Sequence, residues 1–293
     1  MFIATLIAPD RLPAGEISAA EDALKQAGIA LDGWNWVEEG VAADLRFKGD
    51  AAAVRALLEG RIKGVDVVVQ PEEGRRKRLL VSDMDSTMIT VECIDELADY
   101  AGLKAEISAV TDRAMRGELD FETALKERVA LLKGLDESVI TRCLNERVGI
   151  TPGAIPLVKT MQKNGARCVL VSGGFAAFAD RVAETIGFDA AISNELEIEH
   201  GRFTGNVGLP IVGSYAKRDA LADAAALVGA SPDETLAVGD GANDIPMLEA
   251  AGLGVAYHAK PAAAAAAGAR IDHCDLTALL HAQDYARSEW VTG

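Results

Sequence analysis

The sequence has little of what marks the special classes of protein. Only four of its 293 residues are cysteines, Cys93, Cys143, Cys168 and Cys274, and none forms a CxxC pair. Disulfide scaffolds and zinc–thiolate sites need denser sulfur, so these read as reduced, mostly buried thiols of a cytoplasmic protein. The four histidines, His200, His258, His273 and His281, fall in the C-terminal third without metal-ligand spacing. Any metal should then be a hard ion held by carboxylate and water oxygens, such as magnesium. Positive charge is scarce: 29 Lys and Arg stand against 45 Asp and Glu, for a formal net charge of −16. That argues against general binding to nucleic acid or anionic membranes, while leaving open a local site for a small anion. No apolar run approaches a membrane span. Met1 to Pro9 lacks a basic start and reads as a first strand rather than a signal peptide. What is left is an ordinary globular composition, 49% hydrophobic and 25% charged, at a length that suits two domains.

Periodicity divides the chain. Strand-like residues 2–8, helical spacing over 16–27, strand-like runs at 31–38 and 41–48, a helix at 50–60 and a strand at 65–69 make a βαββαβ, ferredoxin-like unit over residues 1–70. Its topology resembles the small ACT-like regulatory domains that bind amino acids. A packing or homodimerisation module fits the same pattern. Residues 71–78 read as a linker, and Arg75-Arg76-Lys77-Arg78 as a solvated approach to the next strand. Residues 92–147 are helical almost throughout (92–101, 104–116 stopping at Gly117, 121–133 and 136–145), a cap inserted over a sheet edge. Residues 79–91 with 148–293 alternate strand and helix. They imply an α/β core with a doubly wound parallel, Rossmann-like sheet.

Three stretches carry chemistry. The buried-strand pattern of Leu79 to Ser82 ends in Asp83-Met84-Asp85-Ser86-Thr87. The i, i+2 spacing lets both carboxylates face one way at the strand's carboxyl end, where open α/β sheets bind ligands. A helix cap would use the same residues. Val169 to Val171 runs into Ser172-Gly173-Gly174-Phe175, a phosphate cradle or simply a tight turn. Leu236 to Val238 runs into Gly239-Asp240-Gly241-Ala242-Asn243-Asp244, a second carboxylate cluster or an Asx-turn with sharp glycine bends. Between them Lys217 opens a helix and, alone, would be a surface lysine.

Taken in that order, the DxDST strand end, the Ser-Gly turn, the lysine and GDGxND resemble the haloacid dehalogenase superfamily of phosphatases, over roughly residues 75–285. Within it the match is close to the phosphoserine phosphatase family, through DMDSTMITVECIDELAD, MRGELDFETALKERVALLKGL, VSGGF and GDGANDIPMLEAAGLGVAYHAKP. The resemblance implies hydrolysis of a small phosphate ester, O-phospho-L-serine, in the last step of serine synthesis. It makes Asp83 the nucleophile and Asp85 the acid/base. Lys217 neutralises charge, while Ser172, Gly173 and Asn243 hold phosphate. Asp83, Asp85 and Asp240 hold Mg2+ with Asp244 in support, and Glu92 and Arg128 clamp the substrate. Without it, Glu92 reads as a helix-start charge and Arg128 as a surface residue paired with Glu127 or Asp120. Two other functions stay open: hydrolysis or transfer of another small phosphate ester, and an amino-acid-binding regulator with an inactive phosphatase domain.

Overall fold

The computed structural model describes residues 1–115 and 118–292. Its first unit runs β1 (Phe2–Ile7), α1 (Ala14–Gln26), β2 (Ala30–Glu38), β3 (Ala42–Lys48), α2 (Ala51–Leu58) and β4 (Asp66–Pro71). The strands form an antiparallel sheet in the order β2-β3-β1-β4. Period-2 alternation sends Ala4, Leu6, Ala43, Leu45 and Val67 to one face, against Ile17, Leu24, Val54 and Leu58 of the two helices. The opposite face is not solvated. Ile7, Ala42 and Val68 join the core of the rest of the molecule, with Leu279, Ala282 and Tyr285.

The basic run corrects an expectation. Arg75 and Lys77 are buried, not a solvated approach. Arg75 places its guanidinium on Asp44 of β3 at 2.6 and 3.1 Å, and also donates to the backbone oxygens of His281 and Ala282. Lys77 Nζ donates to the carbonyls of Gly74 and Asp233. A buried charge must be paired, and here the partners come from both sides of the junction. Asp66 adds to this seam by accepting from the backbone N–H groups of Asp272, His273 and Cys274.

The larger unit begins with β5 (Leu79–Ser82) and continues through α3 (Cys93–Ala101), α4 (Lys104–Met115), α5 (Phe121–Leu131) and α6 (Ser138–Glu146). The expected end of α4 at Arg116 and Gly117 lies outside the described residues. Next come α7 (Ala154–Lys163), β6 (Arg167–Phe175), α8 (Ala176–Ile186), β7 (Ala190–Asn194) and a hairpin of β8 (Leu196–Glu199) with β9 (Arg202–Val207). The chain closes with α9 (Ser214–Val228), β10 (Thr235–Gly239), α10 (Ile245–Ala250), β11 (Leu253–Tyr257), α11 (Pro261–Ala266), β12 (Ala269–Ile271) and α12 (Ala278–Ala282). Six strands pair in parallel in the order β12-β11-β10-β5-β6-β7. This is a Rossmann-like doubly wound sheet. After β5 the chain builds outward on one side and later on the other, so the topological switch lies at β5, and its carboxyl end opens into the crevice where such sheets bind ligands. Helices α3, α5 and α6 pack Leu97, Leu125, Val129, Ile140 and Cys143 into the same apolar core.

Candidate active site

At the end of β5, Asp83 N donates to Val238 O at 2.9 Å, which holds the first carboxylate beside β10. Lys217, in the first turn of α9, reaches into the sheet edge without solvent exposure. Its Nζ donates to Asp83 Oδ1 at 2.6 Å and to Asp244 Oδ1 at 2.7 Å. Asp244 in turn accepts from Gly241 N at 3.0 Å. Burial would lower the lysine's pKa, but the two carboxylates overcome it and keep the ammonium charged. Asp83, Asp240 and Asp244 bring carboxylate oxygens within 4.8 Å of one another. Burial, and then the Asp244 charge, pushes Asp83 well above the usual carboxylate range, and burial raises Asp240 too. An all-oxygen set of three carboxylates fits a hard divalent cation.

The Asp85 carboxylate, expected beside Asp83 and Asp240 on the metal, stands apart from that trio, and Asp244 stands in its place. Asp85 Oδ1 accepts from Cys93 N at the start of α3, at 3.4 Å. Burial, helped by the Glu92 charge, raises its pKa to about 7. Ser86, directly after Asp85, adopts φ 55°, a left-handed conformation that turns the chain and lets Ser86 Oγ donate to Glu92 Oε1 at 2.7 Å. Arg128 on α5 does not pair as a surface residue would. Glu127 goes to Arg113 and Asp120 caps α5 at Thr123, while Arg128 Nε donates only to Ala124 O. Burial lowers its pKa against the fields of Asp95, Glu92 and Asp85. Its remaining N–H groups donate to no protein oxygen among the described residues.

The Ser-Gly-Gly stretch differs from the expected tight turn, while the chain bends at Asp240 and Gly241 as expected. Ser172 to Phe175 stays extended as the end of β6, with an irregularity in its pairing to β7. A Cβ on Gly174 would stand 3.0 Å from both Asp85 Oδ2 and Ser172 Oγ, and one on Gly173 would strike Phe121 of α5 at 2.9 Å. A Cβ on Gly239 would meet Asp244, and one on Gly241 would meet Asn243 Oδ1. None of these four has a positive φ. They give close approach, so Asp83, Asp240, Asp244 and Lys217 can crowd together beside the Ser172 loop.

Two polar residues were not apparent from sequence. Asn194, buried at the end of β7, donates to Gly173 O at 2.9 Å and accepts from Val212 N at 2.7 Å, tying the Ser-Gly loop to the segment that leads into α9. Lys260 places its Nζ 3.2 Å from Asp240 Oδ2 and 4.0 Å from Glu92 Oε1. A polar residue closing a strand and a Lys-Pro pair before a helix are their only sequence signals.

The model of the haloacid dehalogenase-like hydrolases matches residues 80–249, more than half of the chain. The chain belongs to that family. Among its relatives, the phosphoserine phosphatase of Archaeoglobus fulgidus is 48% identical over 215 residues, covering 72% of this chain and 62% of that protein. The phosphoserine phosphatase of Albidiferax ferrireducens is 46% identical over 208 residues, 69% of this chain and 88% of that one. The crystal structure of a probable phosphoserine phosphatase from Vibrio cholerae superimposes with a TM-score of 0.78 at 33% identity, over 98% of this chain and 87% of that one. The family match spans β5 to α10 and so includes each candidate residue from Asp83 to Asp244. No helix among the described residues is long and apolar enough to cross a membrane.

Proposed function

We propose that this chain is a phosphoserine phosphatase that hydrolyses O-phospho-L-serine to L-serine and phosphate through an aspartyl phosphate on Asp83, the last step of serine synthesis. The observation that carries this reading is the separation of two acids two residues apart. Asp83 is paired to the Lys217 ammonium, while Asp85 is held away from the carboxylate trio with a pKa near 7. The partners differ: a fixed ammonium favours the charged form of Asp83, whereas Asp85 receives only a backbone N–H and lies in the field of Glu92, which favours its protonated form, a division that suits nucleophile and proton donor. A carboxylate oxygen of Asp83 bonds to phosphorus as the serine oxygen departs with the proton of Asp85. A water then attacks the phosphoryl group, Asp85 takes its proton, and phosphate leaves Asp83 free.

Asp83 and Asp240 would hold Mg2+, supported by Asp244, and the ion would supply charge neutralisation for the transferring oxygens. Lys217 offsets the rest, and Ser172, Gly173 and Asn243 cradle the phosphate. Glu92 takes the substrate ammonium and Arg128 its carboxylate, as their positions around Asp85 and the unused Arg128 donors support. The names of the curated relatives, one matched over 88% of its length, support the substrate. Four free, buried thiols agree with a cytoplasmic setting.

The test is phosphate release from a panel of phosphate esters, with and without Mg2+. Phosphoserine should be the preferred substrate and turnover should need the ion. Strong turnover of a sugar phosphate with none of phosphoserine would refute the substrate. Preference for phosphothreonine or phosphohomoserine would move the specificity within the amino-acid esters.

A further inference from the structure

Two lysines touch the acidic cluster, and they are built differently. Lys217 is enclosed and doubly bonded, a permanent part of the site. Lys260 is half exposed (55%), while the Asp240 carboxylate it meets is nearly covered (8%). Its backbone is nonetheless fixed. Lys260 N donates to Asp240 O at 2.9 Å, and Pro261 follows at the start of α11. Two residues earlier His258, with φ 42°, donates from its backbone N–H to Ile271 O, and its Nε2 lies 3.0 Å from Cys274 O. Asp66 of β4 in turn caps the Cys274 N–H at 2.9 Å. Only the four-carbon arm is free to move, between Asp240, Glu92 and water.

We propose that Lys260 is a built-in counter-ion that competes with the metal for Asp240. This rests on the reading of Asp240 as a metal ligand. In the metal-free protein the ammonium offsets the charge of Asp240, in a site where Asp83, Asp85, Asp244 and Glu92 also carry or can carry negative charge. A divalent ion at Asp240 displaces the ammonium, and the arm leaves at small cost because the side chain is already half exposed. Lys217, with no exposure and two carboxylates to hold, cannot leave in this way. A cation that orients Asp240 and a cation that competes for it have opposite consequences when removed.

The test is calorimetric titration of the metal-free, full-length protein with Mg2+ at low ionic strength. Lys260 is itself half exposed, which keeps its pairing weak, so Lys260→Met should bind Mg2+ about threefold more tightly than the unmodified protein. Lys260→Arg, which keeps the charge, should bind as the unmodified protein does. The gap should narrow at high salt. Unchanged or weaker Mg2+ binding in Lys260→Met would overturn the proposal while leaving the metal site standing. No Mg2+ binding by any of the three proteins would overturn the metal reading, and the Lys260 proposal with it.

Discussion

Lys217 Nζ lies 2.6 Å from Asp83 Oδ1, with the lysine side chain unexposed and the aspartate only 6% exposed. In so dry a setting the pair cannot be replaced by water, and removing one member leaves the other uncompensated. Lys217→Met should lower kcat by about 10²- to 10³-fold, the loss typical of a preorganised charge-stabilising group. It should also destabilise the fold by roughly 3–5 kcal/mol. Steady-state kinetics and urea unfolding check both, and a kcat within tenfold of the unmodified protein would contradict the placement.

Arg128 lies in the fields of Asp95, Glu92 and Asp85, and its terminal N–H groups donate to no protein oxygen among the described residues. Arg128→Ala should raise the KM for phosphoserine by about 10- to 100-fold, as expected when a charge-assisted hydrogen bond to a carboxylate is lost. Hydrolysis of an aryl phosphate, which has no carboxylate, should change by no more than a few-fold. Equal losses on both substrates would make the arginine structural.

The seam between the two units rests on Arg75 and Asp44, joined at 2.6 Å with both side chains almost fully covered. Arg75→Met should cost roughly 3–5 kcal/mol in stability, because Asp44 is then buried without its partner. Arg75→Met combined with Asp44→Leu should recover much of that loss, as measured by chemical unfolding. Additive losses would show that the two charges do not act as a pair.

His281 gives this seam a pH dependence. Its Nε2 is 3.4 Å from Glu38 Oε2, too long for a good hydrogen bond. Burial, with the Arg287 charge adding to it and Asp275 and Asp44 opposing, lowers the imidazole pKa to about 4. The ring also lies against Trp290, 5.0 Å between centroids. A histidine that folds neutral contributes its full stability above its unfolded pKa of about 6.5 and loses it as pH falls toward 4. The total loss is about 3 kcal/mol at most. Unfolding at pH 7, 6 and 5 should therefore show a steeper decline in the unmodified protein than in His281→Gln. Parallel declines would refute the assignment.

The fold was largely legible because β5, β6, β10 and β11 are short apolar runs ending in polar loops, a pattern that buried parallel strands impose. The cluster of Asp83, Lys217, Asp240 and Asp244 could be anticipated because each member sits at or just after such an ending, or opens the following helix. The charged run at 75–78 misled for the opposite reason. Sequence shows that Arg75 and Lys77 are charged but not that Asp44, 31 residues earlier, waits to neutralise Arg75. The glycines of SGG suggested a turn, whereas that stretch stays extended and gives clearance for Phe121; those of GDG do flank a bend, and they also give clearance for Asp244 and Asn243. Asn194 and Lys260 act through contacts that no local spacing encodes.

Asp83 as nucleophile is the claim on which the mechanism stands, and trapping the phosphoenzyme tests it most directly. Protein mixed with phosphate-labelled phosphoserine and Mg2+, then quenched in acid, should carry a base-labile label on Asp83. Asp83→Asn keeps an oxygen acceptor for Lys217 and leaves it the Asp244 carboxylate, so the variant should still fold, take up no label and release no phosphate. Substantial phosphate release by Asp83→Asn, or label mapped to another residue, would contradict it.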